Sequence, residues 1–213
     1  MDRARLAGVL GLIGGIMNDN RRPTLAATLW PQQAASRIAR LAALSIGGAL
    51  ALALSAKAQV PFYPVPMTLQ TLVVLIIGAA FGARLAAATV ALYLVEGLLG
   101  LQVFAGLSAG PVYMAGPTGG YLLGFLVAAA LVGWLAERGW DRSLSWLLAA
   151  MVLGHVVIFA FGYAWLAVLV GPDKAWLGGV VPFFAATIVK TLLAWALVAA
   201  AWRAVASLRG PTA

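Results

Sequence analysis

Residues 180 to 202, VVPFFAATIVKTLLAWALVAAAW, hold one charged residue, Lys190, in a run long enough to cross a bilayer. An ammonium at that depth needs an anion, water or a protein-lined cavity beside it, so this segment constrains both the surroundings and the interior of the fold. The rest of the chain agrees. With 63% hydrophobic and 9% charged residues over 213 positions, and a mean hydropathy of +0.99, there is too little polar surface to cover a water-soluble globule. The chain reads as an integral membrane protein. It has no cysteine, which excludes disulfides and thiolate metal sites, and its one histidine, His155, excludes a histidine metal cluster. No cofactor is expected. The net charge of +8 would suit a nucleic-acid partner, but the cations fall between the apolar runs, which is the pattern of membrane topology.

Long apolar runs predict six spans, at residues 36–57, 67–82, 84–101, 118–136, 145–170 and 179–206. Period-2 alternation is absent and Ala and Leu abound, so the expected fold is all-α, a six-transmembrane-helix bundle and not a barrel. Only Gly82 and Ala83 separate the second and third spans, which predicts a tight helical hairpin with Arg84 at its tip. Residues 35–208 read as the single membrane domain and 209–213 as a short cytoplasmic tail. Residues 1–34 read as an N-terminal extension, interfacial or disordered, with an alternative start at Met17. Arg37, Arg40, Arg84, Arg138, Arg142, Arg203 and Arg209 fall on one side of six crossings, and Lys57 and Lys174 on the other. Both termini are therefore expected in the cytoplasm. Residues 58–66 and 102–117 become outer loops, rich in Gly, Pro and aromatics, which suit a lid over a cavity or simply tight turns.

Several residues carry candidate chemistry. Ala35, Ala39, Ala43, Gly47 and Ala51 recur every four residues and lay a strip of minimal side chains along the first span, for contact with a partner helix or for packing inside the bundle. Glu96 lies about twelve residues, roughly 18 Å, along the third span, where it could meet Lys190 as an ion pair or serve a ligand. His155 is either an interhelical hydrogen-bonding group or a proton relay. Gly116-Pro117-Thr118-Gly119-Gly120-Tyr121 opens the fourth span, as a helix start alone or as a set of amides open to a ligand. Gln70 offers a donor and an acceptor near the outer start of the second span. Enzymatic readings lack parts: no phosphate loop, no HExxH, and a GLSAG run around Ser108 with no strand before it. A cation, hydroxyls and aromatics describe a pocket for a small, largely apolar acid. An intramembrane enzyme using Glu96 or His155 is the alternative from another class.

Three stretches, PFYPVPMTLQT (61–71), GLLGLQVFAG (97–106) and GPTGGYLLGF (116–125), precede a PFF…K segment ending at Lys190. In this order, over about residues 37–205, the chain resembles the BioY family of biotin-uptake proteins. The resemblance implies a six-helix substrate-capture (S) component of an energy-coupling factor (ECF) transporter in the bacterial cytoplasmic membrane. It also implies biotin binding from outside, with import driven by a transmembrane coupling protein and two cytoplasmic ATPases that hydrolyse the ATP. Some members lack a dedicated set, so a self-sufficient biotin carrier, working as a homo-oligomer, is the alternative within transport. The small-residue strip then docks on the coupling protein. Similar sequences often carry an acid where this chain has Thr187, an asparagine where it has Ser108, and sometimes an arginine where it has Leu122. Lys190 alone retains the charged set, with Thr187 a neutral hydrogen-bonding group three residues before it.

Overall fold

The computed structural model describes residues 22–30 and 37–208. Ala35, most of the N-terminal extension and residues 209–213 lie outside the described residues. A short helix α1 (Leu25–Leu29) is followed by α2 (Arg37–Lys57), then by β1 (Gln59–Val60) and β2 (Met67–Thr68), which pair antiparallel with Gln59 opposite Thr68. Next come α3 (Gln70–Phe81), α4 (Ala83–Leu98), α5 (Gly110–Ala115) and α6 (Gly119–Glu137). After a 3-10 turn at Trp140–Arg142 follow α7 (Leu144–Val170) and α8 (Pro172–Gly179), and a second 3-10 turn at Val181–Phe183 leads into α9 (Phe184–Leu208). Each expected span coincides with a helix, and the fold is all-α apart from the two-residue strands. Arg37–Lys57, Gly119–Glu137, Leu144–Val170 and the stretch Pro172–Leu208 are long and apolar enough to cross a membrane.

Helices α3 and α6 form the centre. Of the most apolar window of α6, 67% is buried inside the bundle, against 28% for α2, so α2 is a peripheral helix with most of one side turned outward. The α3–α4 connection is as tight as its sequence suggests. Gly82 takes φ +81°, a conformation that disfavours a Cβ, and α4 begins at the next residue with Ala83 N–H donating to Glu137 Oε1 at 2.9 Å. Gly133 of α6 lies against this turn so closely that a Cβ there would come within 2.4 Å of the Gly82 carbonyl carbon. Close backbone approach replaces side-chain bulk here, as expected where apolar burial gives no driving force between helices in lipid.

Two expected boundaries shift, and both move a charged side chain. The last span does not run unbroken from residue 179: α8 ends there, and a 3-10 turn containing Pro182 precedes α9. Lys190 is thus six residues, about 9 Å, from the start of its own helix, against the eleven residues that an unbroken span from residue 179 implies. The third span ends at Leu98 instead of residue 101, which leaves Glu96 in the final turn of α4, at the rim of the bundle.

One end of the bundle is closed by a cluster around the α6–α7 turn. Leu25 is buried in the core, so α1 belongs to the packed structure. Thr24 caps it, with Ala27 N–H donating to Thr24 Oγ1 at 3.3 Å. Arg22 N–H donates to the Glu137 carbonyl at 2.8 Å, and Arg142 Nη2 donates to the Pro23 carbonyl at 2.8 Å while its guanidinium lies 3.4 Å from the centre of the Trp202 ring. Trp202 Nε1–H donates to Asp141 Oδ2 at 2.9 Å, but buried Oδ1 has no hydrogen-bond partner. Burial pushes the Asp141 carboxyl up to about 6, against the opposing pull of Arg142. A carboxyl whose folded pKa exceeds its unfolded value of 3.8 holds its proton longer in the fold, so its contribution falls as pH rises between about 4 and 6 and is flat above. Asp141→Asn should remove that slope and leave the protein at pH 7 to 8 as stable as the parent or more so. Thermal unfolding in detergent across pH 4 to 8 reads the effect, and parallel curves for parent and variant would refute it.

Candidate ligand-binding site

At the other end of the bundle a small, partly open cavity of about 30 Å³ lies between the β1–β2 connection, α3, α5, α6, α7 and α9. That volume is far below the range of about 300–1,000 Å³ seen for small-molecule pockets, so the cavity is nearly collapsed in this structure. Its walls must therefore part to admit a ligand. The polar lining comes from Thr68, Gln70, Thr71, Tyr113, Thr118, Tyr121 and Lys190; Phe125, Phe159 and Phe183 supply aromatic faces. No carboxylate is among the lining residues.

Lys190 is 6% exposed, and its Nζ donates to the Thr68 carbonyl at 3.1 Å. That is one neutral acceptor for a group with three donors. The expected ion pair with Glu96 does not form: Glu96 sits half-buried at the rim, outside the cavity lining. Gln70 is nearly fully buried, with Nε2 donating to Tyr93 Oη at 2.6 Å and Oε1 accepting from Thr68 Oγ1 at 3.2 Å, so one donor and one lone pair of the amide remain for a ligand. Tyr121 Oη donates to the Gly179 carbonyl at 2.6 Å, which fixes the end of α8 over the cavity.

Sequence reasoning named Gln70, Thr118, Tyr121 and Lys190, and the fold brings these four to one cavity. It does not bring the others there. Thr187 lies on a different groove, between α7 and α9, because three residues turn a helix by about 300° and leave an offset of about 60° from Lys190. Ser108 is half-buried in the loop between α4 and α5, with its backbone bonded to Phe104 and Ala105. Gly119 is buried against Met114, whose carbonyl oxygen a Cβ would meet at 1.9 Å. Glu96 and His155 are both absent from the lining of this cavity. Among the described residues no cluster of His, Asp or Glu could hold a metal ion.

Thr71, Tyr93 and Tyr113 escaped sequence reasoning. Thr71 follows Gln70 directly, and its buried Oγ1 has no hydrogen-bond partner, which makes it an available contact inside the cavity. Tyr93 is fully buried and passes the Gln70 contact on to the Val103 carbonyl at 3.1 Å. Its ring meets Phe104 edge-on with centroids 5.5 Å apart, and Phe104 stacks on Tyr113 at 5.1 Å. Lys57 secures the same loop by donating to the carbonyls of Gln102, Phe104 and Gly106 at 2.5, 2.9 and 2.6 Å. The loop between α4 and α5 is thus fastened to α2 and α4, and through Ala105 it forms part of the cavity wall, next to Tyr113 of α5.

A buried cation, neutral hydrogen-bonding groups and aromatic walls, set among helices of which several are long and apolar enough to span a bilayer, define a multi-pass membrane protein with a polar-lined cavity. A model of the BioY family matches residues 25–207, and the chain belongs to that family. It is 40% identical over 139 residues to a probable biotin transporter BioY of Pyrococcus horikoshii, covering 65% of this chain and 82% of that one. It is 36% identical over 163 residues to the biotin transporter BioY of Rhizobium etli, covering 72% and 87%. Its fold matches the crystal structure of the S-component for biotin from an ECF-type ABC transporter with a TM-score of 0.70 over 78% of this chain and 93% of that one, at 22% identity.

Proposed function

We propose that this protein is a transporter subunit, and not an enzyme, that captures biotin at the outer face of the bacterial cytoplasmic membrane as the S component of an ECF-type transporter. The chain crosses the membrane six times with both termini in the cytoplasm, as the positive-inside rule requires of its arginines. Lys190 carries this reading: it is a buried cation with donors to spare in a cavity without a carboxylate. It pairs with the carboxylate of biotin. The remaining donor and acceptor of Gln70 and the hydroxyls of Thr71 and Thr118 meet the ureido ring, and the phenylalanines pack the thiolane and tail. Family membership and the relatives named as biotin transporters support the choice of ligand.

The coupling protein docks on α2. Ala39, Ala43 and Gly47 are exposed, Ala51 is half-exposed, and a Cβ on Gly47 would meet nothing within 4 Å, which favours a partner over packing inside the bundle. Two cytoplasmic ATPases then supply the energy. Uptake of radiolabelled biotin in cells lacking their own biotin transporters tests this. Uptake is expected only when the coupling protein and both ATPases are coexpressed; equal uptake without them would mark a self-sufficient oligomeric carrier instead.

A further inference from the structure

A second site lies on the lipid side of the bundle. Between α7 and α9 runs a groove of about 670 Å³, walled by Val152, Phe159, Tyr163 and Trp176, with His155 and Thr187 also lining it. Phe159 also lines the central cavity, so one ring separates the two spaces. Exposed Val152, Trp176 and Ile188 place the mouth of the groove outside the bundle, towards lipid.

The hydrogen bonds determine what the groove offers. Thr191 Oγ1 donates its one proton to the Thr187 carbonyl at 2.7 Å, so it can only accept from His155 Nδ1, 2.9 Å away. Nδ1 therefore carries the ring proton and Nε2 is a bare acceptor. His155 is 3% exposed, and its Nε2 is buried without a partner, as is Thr187 Oγ1. Apart from the Tyr163 hydroxyl and the Trp176 indole N–H, the groove wall thus has one acceptor and one hydroxyl donor just beneath it, eleven residues or about 16 Å from the start of α7, and a small turn of the two side chains opens them to the groove. A lipid tail could fill such a space but has no donor at that depth, and would leave both groups unsatisfied. No cation lines the groove, so an anion gains nothing there. An N–H beside a C=O, as in a cyclic urea or lactam, satisfies both groups at once: the N–H donates to Nε2 and the carbonyl accepts from the Thr187 hydroxyl.

We propose that the α7–α9 groove is a second, lipid-facing binding site for an uncharged cyclic urea or lactam on an apolar body, held by His155 Nε2 and Thr187 Oγ1. The choice of probe rests on the assignment of biotin, whose ring is a cyclic urea, to the central cavity. Radiolabelled biotin methyl ester is to be counted on protein in lipid nanodiscs saturated with unlabelled biotin, against protein-free discs. One further equivalent of ester per chain is expected. His155→Leu and Thr187→Val should each weaken its retention at least about tenfold, the loss of one good hydrogen bond, while binding of biotin itself stays at one equivalent. Retention no greater than on protein-free discs, or retention indifferent to both substitutions, would overturn the proposal. So would loss of biotin binding in both variants, which would make groove and cavity one site. If the parent protein bound no biotin but retained the ester through His155, the groove would stand and the assignment of the central cavity would fall.

Discussion

Lys190→Met is expected to weaken biotin binding by two to three orders of magnitude while leaving the protein folded. The methionine keeps most of the apolar stem and removes a charge whose one hydrogen bond among the described residues goes to the Thr68 carbonyl. The empty cavity therefore loses little, and relief from a buried cation offsets the lost hydrogen bond. Bound biotin loses far more, because its carboxylate then enters a site with no counter-ion. Truncating one member of a buried, hydrogen-bonded charge pair costs about 2–5 kcal/mol, or roughly thirtyfold to several thousandfold. Biotinamide, which has the same ring and tail but no charge, should lose little. Displacement of radiolabelled biotin by each compound reads the central cavity alone. Equal losses for the two ligands would mean that Lys190 faces the ureido ring.

The second large effect is expected from two adjacent glycines that face opposite ways. Gly47 lies on the exposed strip with open space beside it, whereas a Cβ on Gly48 would come within 2.5 Å of Thr89 Cγ2. Gly47→Leu should thus leave unfolding temperature and biotin affinity unchanged. It should lower coupled uptake at least about thirtyfold, because a bulky side chain holds apart two helices that meet through small residues, at a cost of about 2 kcal/mol or more. Gly48→Leu should do the reverse of a clean separation: overpacking costs about 1–3 kcal/mol and lowers stability and binding together. Loss of binding in Gly47→Leu at full stability would remove α2 from the partner interface and connect it to the cavity.

Much of the architecture is visible in the sequence, because in a membrane the apolar run itself specifies the helix. All six runs contain a helix, and the turn expected at Gly82 and Ala83 is there, tightened to Gly82 alone, so that Ala83 and Arg84 already belong to α4. The finer positions depended on where helices stop. A break at Val180–Phe183 inside an apolar run leaves hydropathy almost unchanged, yet it resets the depth of Lys190. The end of α4 at Leu98 likewise moves Glu96 to the rim and away from the ion pair that its position in the run suggests. Lys190, Gln70, Thr118 and Tyr121 were legible because a polar residue in such a run needs a reason. Tyr93 and Tyr113 were not, because an aromatic residue in a membrane helix or a loop has an apolar reason as well. Which side of α9 each polar residue faces was also hidden, since Lys190 and Thr187 differ by about 60° of rotation and that difference assigns them to separate spaces.

The structure of the protein bound to biotin tests the central assignment most directly. The ligand is expected in the cavity bounded by Thr68, Gln70, Tyr121 and Lys190, with a carboxylate oxygen about 2.7–2.9 Å from Lys190 Nζ, the distance of a charge-assisted hydrogen bond. The carboxylate lying away from Lys190 with the ureido ring against the ammonium, or biotin bound outside this cavity, would contradict it.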